Sequence, residues 1–240
     1  MTVKAHYDNH LAHFYAWMTG DFQTRYEEFK SFLIENAIKP SGGKIAIDLG
    51  AGHGIQSIPL AAIGFNVLAV YFNQQLLNAL VSNAQELNVT AINADIKNVA
   101  TLADRADLVV CCGDTLSHLA DKNAVKKFIT DVANTLDERG IFILSFRDYT
   151  HALTGIERFI PVKSDDSKIF TCMLEYEDEY VQVTDLLYER TADGWKQKVS
   201  SYQKVRLCTH EVVEQLQSSG LNIRLNKAIN RMTTIIAVKG

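Results

Sequence analysis

Between Ala46 and Gly54 the chain reads Ala-Ile-Asp-Leu-Gly-Ala-Gly-His-Gly, an acid followed by glycine at every second position. Glycine has no Cβ, so such a turn can bend tightly and bring backbone close to a ligand. The spacing of Gly50, Gly52 and Gly54 differs from the G-x-G-x-x-G of nicotinamide-nucleotide binders, because Ile55 follows Gly54. Further candidates come later: Asp95 and Ile96 in Asn-Ala-Asp-Ile, the run Cys111-Cys112-Gly-Asp114-Thr-Leu-Ser-His118, and the group Arg147, Asp148, Tyr149, His151. Histidine and aspartate can hold or move a proton, and arginine matches a carboxylate or phosphate. Each also has an ordinary structural use. Asp114 and His118 suit a turn and a helix cap equally well, and Arg147, Arg158 and Arg206 suit surface ion pairs.

The elements that must position these residues follow from periodicity. Apolar spacing predicts one or two helices over residues 8–18 and 21–36, ended by Pro40-Ser-Gly-Gly43. Short apolar strands are then predicted at 44–49, 66–71, 90–92, 107–112 and 140–146. Helices are predicted between them, at 55–63, 74–87 and 122–136. That alternation implies a mostly parallel sheet covered on both faces. From residue 168 the pattern changes to three successive strands, 168–175, 179–190 and 194–207, separated by Asp-Glu and Asp-Gly turns. A helix at 209–219, capped by Thr209 and stopped by Gly220, and a hairpin of 221–225 with 233–239 complete the chain. The meander is an insertion after the fifth strand, and about forty residues of three-stranded sheet need something to pack on.

The order strand, acid, alternating glycines, helix and βαβ resembles the first motif of class I S-adenosylmethionine-dependent methyltransferases. The resemblance runs from about residue 44 to 240 and is nearest to the glycine/sarcosine-type small-molecule branch. It implies an α/β fold: a seven-stranded, mostly parallel Rossmann-like methyltransferase sheet with N-terminal helices and an antiparallel insertion after strand 5. Residues 1–240 would form one methyltransferase domain, with 1–40 a helical lid and 150–207 a substrate-side insertion. It implies S-adenosylmethionine as cofactor, with Gly50, Ala51 and Gly52 against its methionine part, Asp48 orienting the amino end and Asp95 and Ile96 at the adenine. Cys112 would lie by the cofactor after the fourth strand. His118, Arg147 and His151 are the catalytic candidates on the acceptor side. Leu136-Asp-Glu-Arg-Gly140 takes the place of the family's Pro-Gly-containing turn.

One position departs. The family's second strand ends in an acid that accepts bonds from both ribose hydroxyls. Here Tyr71 stands there, followed by Phe72. A carboxylate accepts two bonds, whereas a phenol has one oxygen and a bulky ring. Two functions follow: methyl transfer to a nitrogen or oxygen of a small metabolite, or a cofactor-impaired, non-catalytic binding protein on the same fold. An amine acceptor needs no dedicated base, and a hydroxyl would want a His or Asp. A nicotinamide oxidoreductase is disfavoured by the glycine spacing.

Composition sets the outer limits. The 240 residues are 47% hydrophobic and 22% charged, with a formal net charge of −4. That is an ordinary globular balance with no basic face for nucleic acid or anionic membrane. No apolar run approaches a membrane span, and the first residues lack an apolar signal core. Cys111, Cys112, Cys172 and Cys208 lack Cys-x-x-Cys spacing and suit reduced thiols in a cytoplasmic protein. The expected partner is a small-molecule acceptor, with no metal, nucleic acid or membrane. The aromatic run Tyr7, His10, Phe14, Trp17 is either one face of a lid helix or ordinary core packing.

Overall fold

The structure, a computed structural model, describes residues 1–240. Four helical pieces open the chain: α1 (Val3–Asn9), a 3-10 turn (Leu11–His13), α2 (Tyr15–Thr19) and α3 (Phe22–Glu35). The helix expected over 8–18 is therefore broken. Thr2 caps α1, His10 leaves helical geometry at φ −135°, and Gly20 turns the chain at φ +90° before Asp21 caps α3. His6, Tyr7, Leu11 and Phe14 are all buried.

Alternation then builds the main sheet from β1 (Ile45–Leu49), α4 (Ser57–Ala62), β2 (Asn66–Tyr71), α5 (Gln74–Ala84), β3 (Val89–Asn93), β4 (Ala106–Cys111), α6 (Lys122–Thr135) and β5 (Leu136–Phe146). After the insertion come α7 (Thr209–Ser218), β10 (Leu221–Ile229) and β11 (Met232–Lys239). The sheet order is β10-β11-β5-β4-β1-β2-β3, with only β11 antiparallel to its neighbours. One face buries Ile47, Val109, Phe142 and Leu144 under Phe128, Val132 and Leu216 of α6 and α7. The other buries Ala46, Val67, Leu108 and Ile143 under Leu33, Leu60 and Leu80 of α3, α4 and α5. Double coverage is why these strands read as continuous apolar runs.

The insertion is a second sheet of four strands in the order β6-β7-β8-β9: β6 (Phe159–Ser164), β7 (Lys168–Tyr176), β8 (Tyr180–Thr191) and β9 (Gly194–Val205). The three-strand expectation missed β6, an edge strand that carries Pro161 and buries none of its residues. Proline demotes a strand to the edge, and little apolar alternation remains to betray it. β8 alternates cleanly, turning Val181, Val183, Asp185 and Leu187 inward. Its packing partner is the N-terminal segment: Phe170 and Leu187 join Tyr7, Leu11 and Phe14 in one cluster.

Two smaller expectations are corrected. Residues 136–140 are the start of β5, with Arg139 at φ +63° and a register shift opposite β4, instead of a free turn. Thr209 is the first residue of α7, and Cys208 precedes it without a side-chain cap. The Thr209 hydroxyl instead meets that of Thr233 at 3.0 Å, while its amide donates to Asp148.

Candidate active site

The order in which strands are added to the sheet reverses between the parallel neighbours β1 and β4, and open α/β sheets bind ligands beyond the strand ends at such a point. The glycine turn follows β1 there. Gly50, Gly52 and Gly54 all have positive φ, at +93°, +54° and +102°. The amides of Gly50 and Ala51 both donate to the Val70 carbonyl, which pins the turn to β2. The glycines serve different neighbours. A Cβ on Gly50 would stand 2.6 Å from Thr115 Cγ2, so this glycine makes room for the turn after β4. A Cβ on Gly52 would stand 3.2 Å from the Tyr15 hydroxyl. Close approach to a ligand is thus a matter for Gly52, with Tyr15 lying over it.

Asp48 is buried behind the turn and accepts a 2.6 Å hydrogen bond from the Ser57 hydroxyl. Burial pushes its carboxyl up to about 7, against the pull of the Ser57 bonds. At the end of β3, Asp95 receives the Lys97 amide at 3.0 Å, stays half exposed, and precedes the buried Ile96. Cys112 is part-buried, its thiol pushed up to about 12 by burial despite Ser145. Gly113 beyond it opens onto free space.

Tyr71 is buried, in parallel stacking with Phe72 at 4.8 Å, and Tyr7 of α1 stands edge-on to both rings. Tyr71 therefore faces the N-terminal segment as part of an aromatic cluster. The residues that the resemblance implies for S-adenosylmethionine fit it at two places: a positive-φ turn with the buried Asp48 behind it, and the accessible Asp95 beyond β3. Between them, no carboxylate of β2 awaits the ribose.

Beside the turn lies a buried polar cluster. Asp114, at φ +70°, receives Lys204 Nζ at 2.6 Å, the Arg147 amide at 2.9 Å and the Tyr149 hydroxyl at 3.1 Å. His118 stacks on Tyr202, meets the edge of Tyr7, and has a buried Nδ1 without a partner. Burial, with the Lys204 charge, lowers its imidazole to about 3, so it is neutral at physiological pH. On the far side of Tyr202, His6 stacks at 4.1 Å, with Nδ1 2.7 Å from Ser200 Oγ and Nε2 3.1 Å from Asp185.

His118 and Arg147 thus come together around Asp114, though Arg147 keeps its guanidinium partly in solvent, 4.0 Å from that carboxylate. His151 does not join them. It is exposed on a separate open cleft of about 510 Å³, with Asp148, Thr209 and His210. Arg206 is structural, donating to the carbonyls of Tyr149, Thr150 and Glu177. Reading the sequence missed His6, Asp185, Tyr202 and Lys204. One signal was present: Ser200, Tyr202 and Lys204 share the inward parity of β9, an odd place for a lysine.

The fold is that of S-adenosylmethionine-dependent methyltransferases of known structure. Residues 46–140 match the methyltransferase domain family. Among curated relatives, glycine/sarcosine N-methyltransferase of Aphanothece halophytica is 29% identical over 121 residues, covering 49% of this chain and 45% of that protein. Glycine N-methyltransferase of Oryctolagus cuniculus is 22% identical over 165 residues, covering 61% and 55%. The chain spans about half the length of these relatives. A solved S-adenosylmethionine-dependent methyltransferase from Clostridium acetobutylicum shares the fold over 98% of this chain and 97% of its own, with TM-score 0.74 and 21% identity.

Proposed function

We propose that the chain transfers a methyl group from S-adenosylmethionine to a nitrogen or oxygen of a small metabolite, in the cytoplasm, as one domain with residues 1–40 as lid and 150–207 on the acceptor side. The observation that carries this is the positive-φ glycine turn at the point where the strand order reverses, with the buried polar cluster of Asp114, His118 and Lys204 beside it. The relatives named above support a small acceptor. No helix is long and apolar enough to cross a membrane.

The cofactor, when bound, supplies an electrophilic methyl on sulfur, so the chain's work is to position the acceptor and exclude water. Gly50, Ala51, Gly52 and Asp48 hold the amino-acid end, and Asp95, Ile96, Phe72 and Cys112 enclose the adenosine. His118 acts as a hydrogen-bond anchor, because a group lowered to about 3 is a poor base at neutral pH. Such an arrangement suits an amine that arrives neutral. Removal of His118 or Arg147 to alanine should lower turnover more than cofactor affinity. Unchanged turnover with every acceptor tried would take both out of the site.

Asp48 gives a test that needs no acceptor. A raised acid holds its proton more tightly when folded, so its contribution to stability is present below about pH 4 and lost as pH rises through about 7. An ammonium group brought near it would favour the ionised form. Binding at pH 6 should therefore release a proton, and binding at pH 8.5 should release almost none. Calorimetry in buffers of different ionisation heat measures this, and Asp48→Asn should abolish the release.

The aromatic burial of Tyr71 favours a second reading, a cofactor-impaired binding protein on this fold. Titration with S-adenosylmethionine, S-adenosylhomocysteine and NADH separates the readings. Saturable binding of the first two and not the third supports methyl transfer, and binding of none sinks it.

A further inference from the structure

Building on the reading of S-adenosylmethionine as cofactor, we infer that Asp8 of α1 supplies the ribose-binding carboxylate that β2 lacks. Tyr71 ends β2 with a ring that packs against Tyr7. That packing seats α1 across the strand's end and brings the next residue, Asp8, to the same loop. Asp8 Oδ1 accepts a 2.7 Å hydrogen bond from the side-chain amide of Asn73, two residues past Tyr71. Asn73 is itself fixed, because its Oδ1 caps α5 through the Leu76 amide at 3.0 Å. The carboxylate is therefore held at one place beside the end of β2.

Asp8 is also kept in the form the task needs. Burial is slight and pushes its carboxyl up, but the Lys4 and Asn73 bonds outweigh it and hold the group below the usual range. Its second oxygen is tied only to Lys4, an exposed pair one turn back on the same helix. Such a pair contributes little and yields easily to a ligand. A carboxylate with one oxygen fixed and one loosely held can accept from a vicinal diol, which the Tyr71 phenol cannot do bidentately. The acid has moved from the sheet to the lid. Closure of the N-terminal segment would then complete the ribose site.

The test pairs a protein change with a ligand change. S-adenosylhomocysteine and its 2′-deoxy analogue are titrated by calorimetry against the wild-type chain, Asp8→Asn, Asp8→Glu, Tyr71→Asp and the double variant Asp8→Asn with Tyr71→Asp. Asp8→Asn should weaken S-adenosylhomocysteine about tenfold or more and leave the deoxy analogue nearly unchanged. Asp8→Glu should recover part of the loss, and in the Tyr71→Asp background Asp8→Asn should cost much less. If Asp8 merely braces Asn73, both ligands weaken equally, and the inference falls while the cofactor reading stands. An Asp8→Asn chain that binds both ligands like wild type overturns it as well. If the wild-type chain binds no S-adenosyl compound at all, the cofactor reading falls and takes the inference with it. Thermal midpoints of the variants guard against simple unfolding.

Discussion

Lys204→Met should destabilise the protein by about 3–5 kcal/mol, because it leaves Asp114 buried and ionised with its cation gone. For a chain of this length that corresponds to a fall in Tm of about 10 °C or more. The pair is closely made: Lys204 and Asp114 are both nearly inaccessible, and the carboxylate also holds the Arg147 amide and the Tyr149 hydroxyl. Burial alone would push the Asp114 carboxyl up. The Lys204 charge and the Arg147 amide prevail and hold it below the usual carboxylate range. A depressed acid contributes stability above its unfolded value, about pH 4, and that contribution is lost as pH falls through the folded value. In Lys204→Met the contribution disappears at neutral pH, so the deficit against wild type should shrink on acidification as Asp114 takes up its proton. Adding Asp114→Asn to Lys204→Met should restore much of the loss. A fall of less than 2 °C at pH 7 for the single variant would show that Asp114 finds another partner or is neutral.

Gly50→Ala should cost about 2–6 kcal/mol and abolish cofactor binding. Two effects add. At φ +93° a residue with a Cβ is strained by roughly 1–3 kcal/mol. The new Cβ would also press into Thr115, with Cγ2 2.6 Å away, an overpacking of roughly 1–3 kcal/mol. The two parts separate experimentally. Thr115→Ala in the Gly50→Ala background should recover the packing part of the stability and leave the strain. Full recovery of stability and binding would mean that the positive φ has no role. A normal Tm in the single variant would mean that the turn relaxes with little cost.

Much of the sheet was legible because its chemistry is local. Apolar runs of five or six residues, helices between them and glycines after β1 give the order of elements without knowledge of any distant contact. The same locality placed Asp48 near the end of β1 and Asp95 two residues past β3. What local pattern could not give were groups defined by partners far along the chain. Lys204 looks like one more lysine in a polar strand until Asp114 is seen against it, ninety residues away. His151 shows the converse failure: it follows the correct strand, yet five residues of chain carry it onto a different cleft. Tyr71 was correctly placed at the end of β2. That its ring would pack against Tyr7 required α1 to be broken from its neighbours at His10, and helical spacing over 8–18 concealed that break.

The attachment of the first twenty residues fixes the order in which the molecule can assemble. His6 meets Asp185 and Ser200, Trp17 meets Asp165, and Lys163 meets the Trp17 carbonyl. Every one of these partners lies more than 140 residues further on. Closing loops of that length is slow compared with forming neighbouring βα units. The parallel half of the sheet, with its glycine turn, can therefore form while the crevice above it still stands open.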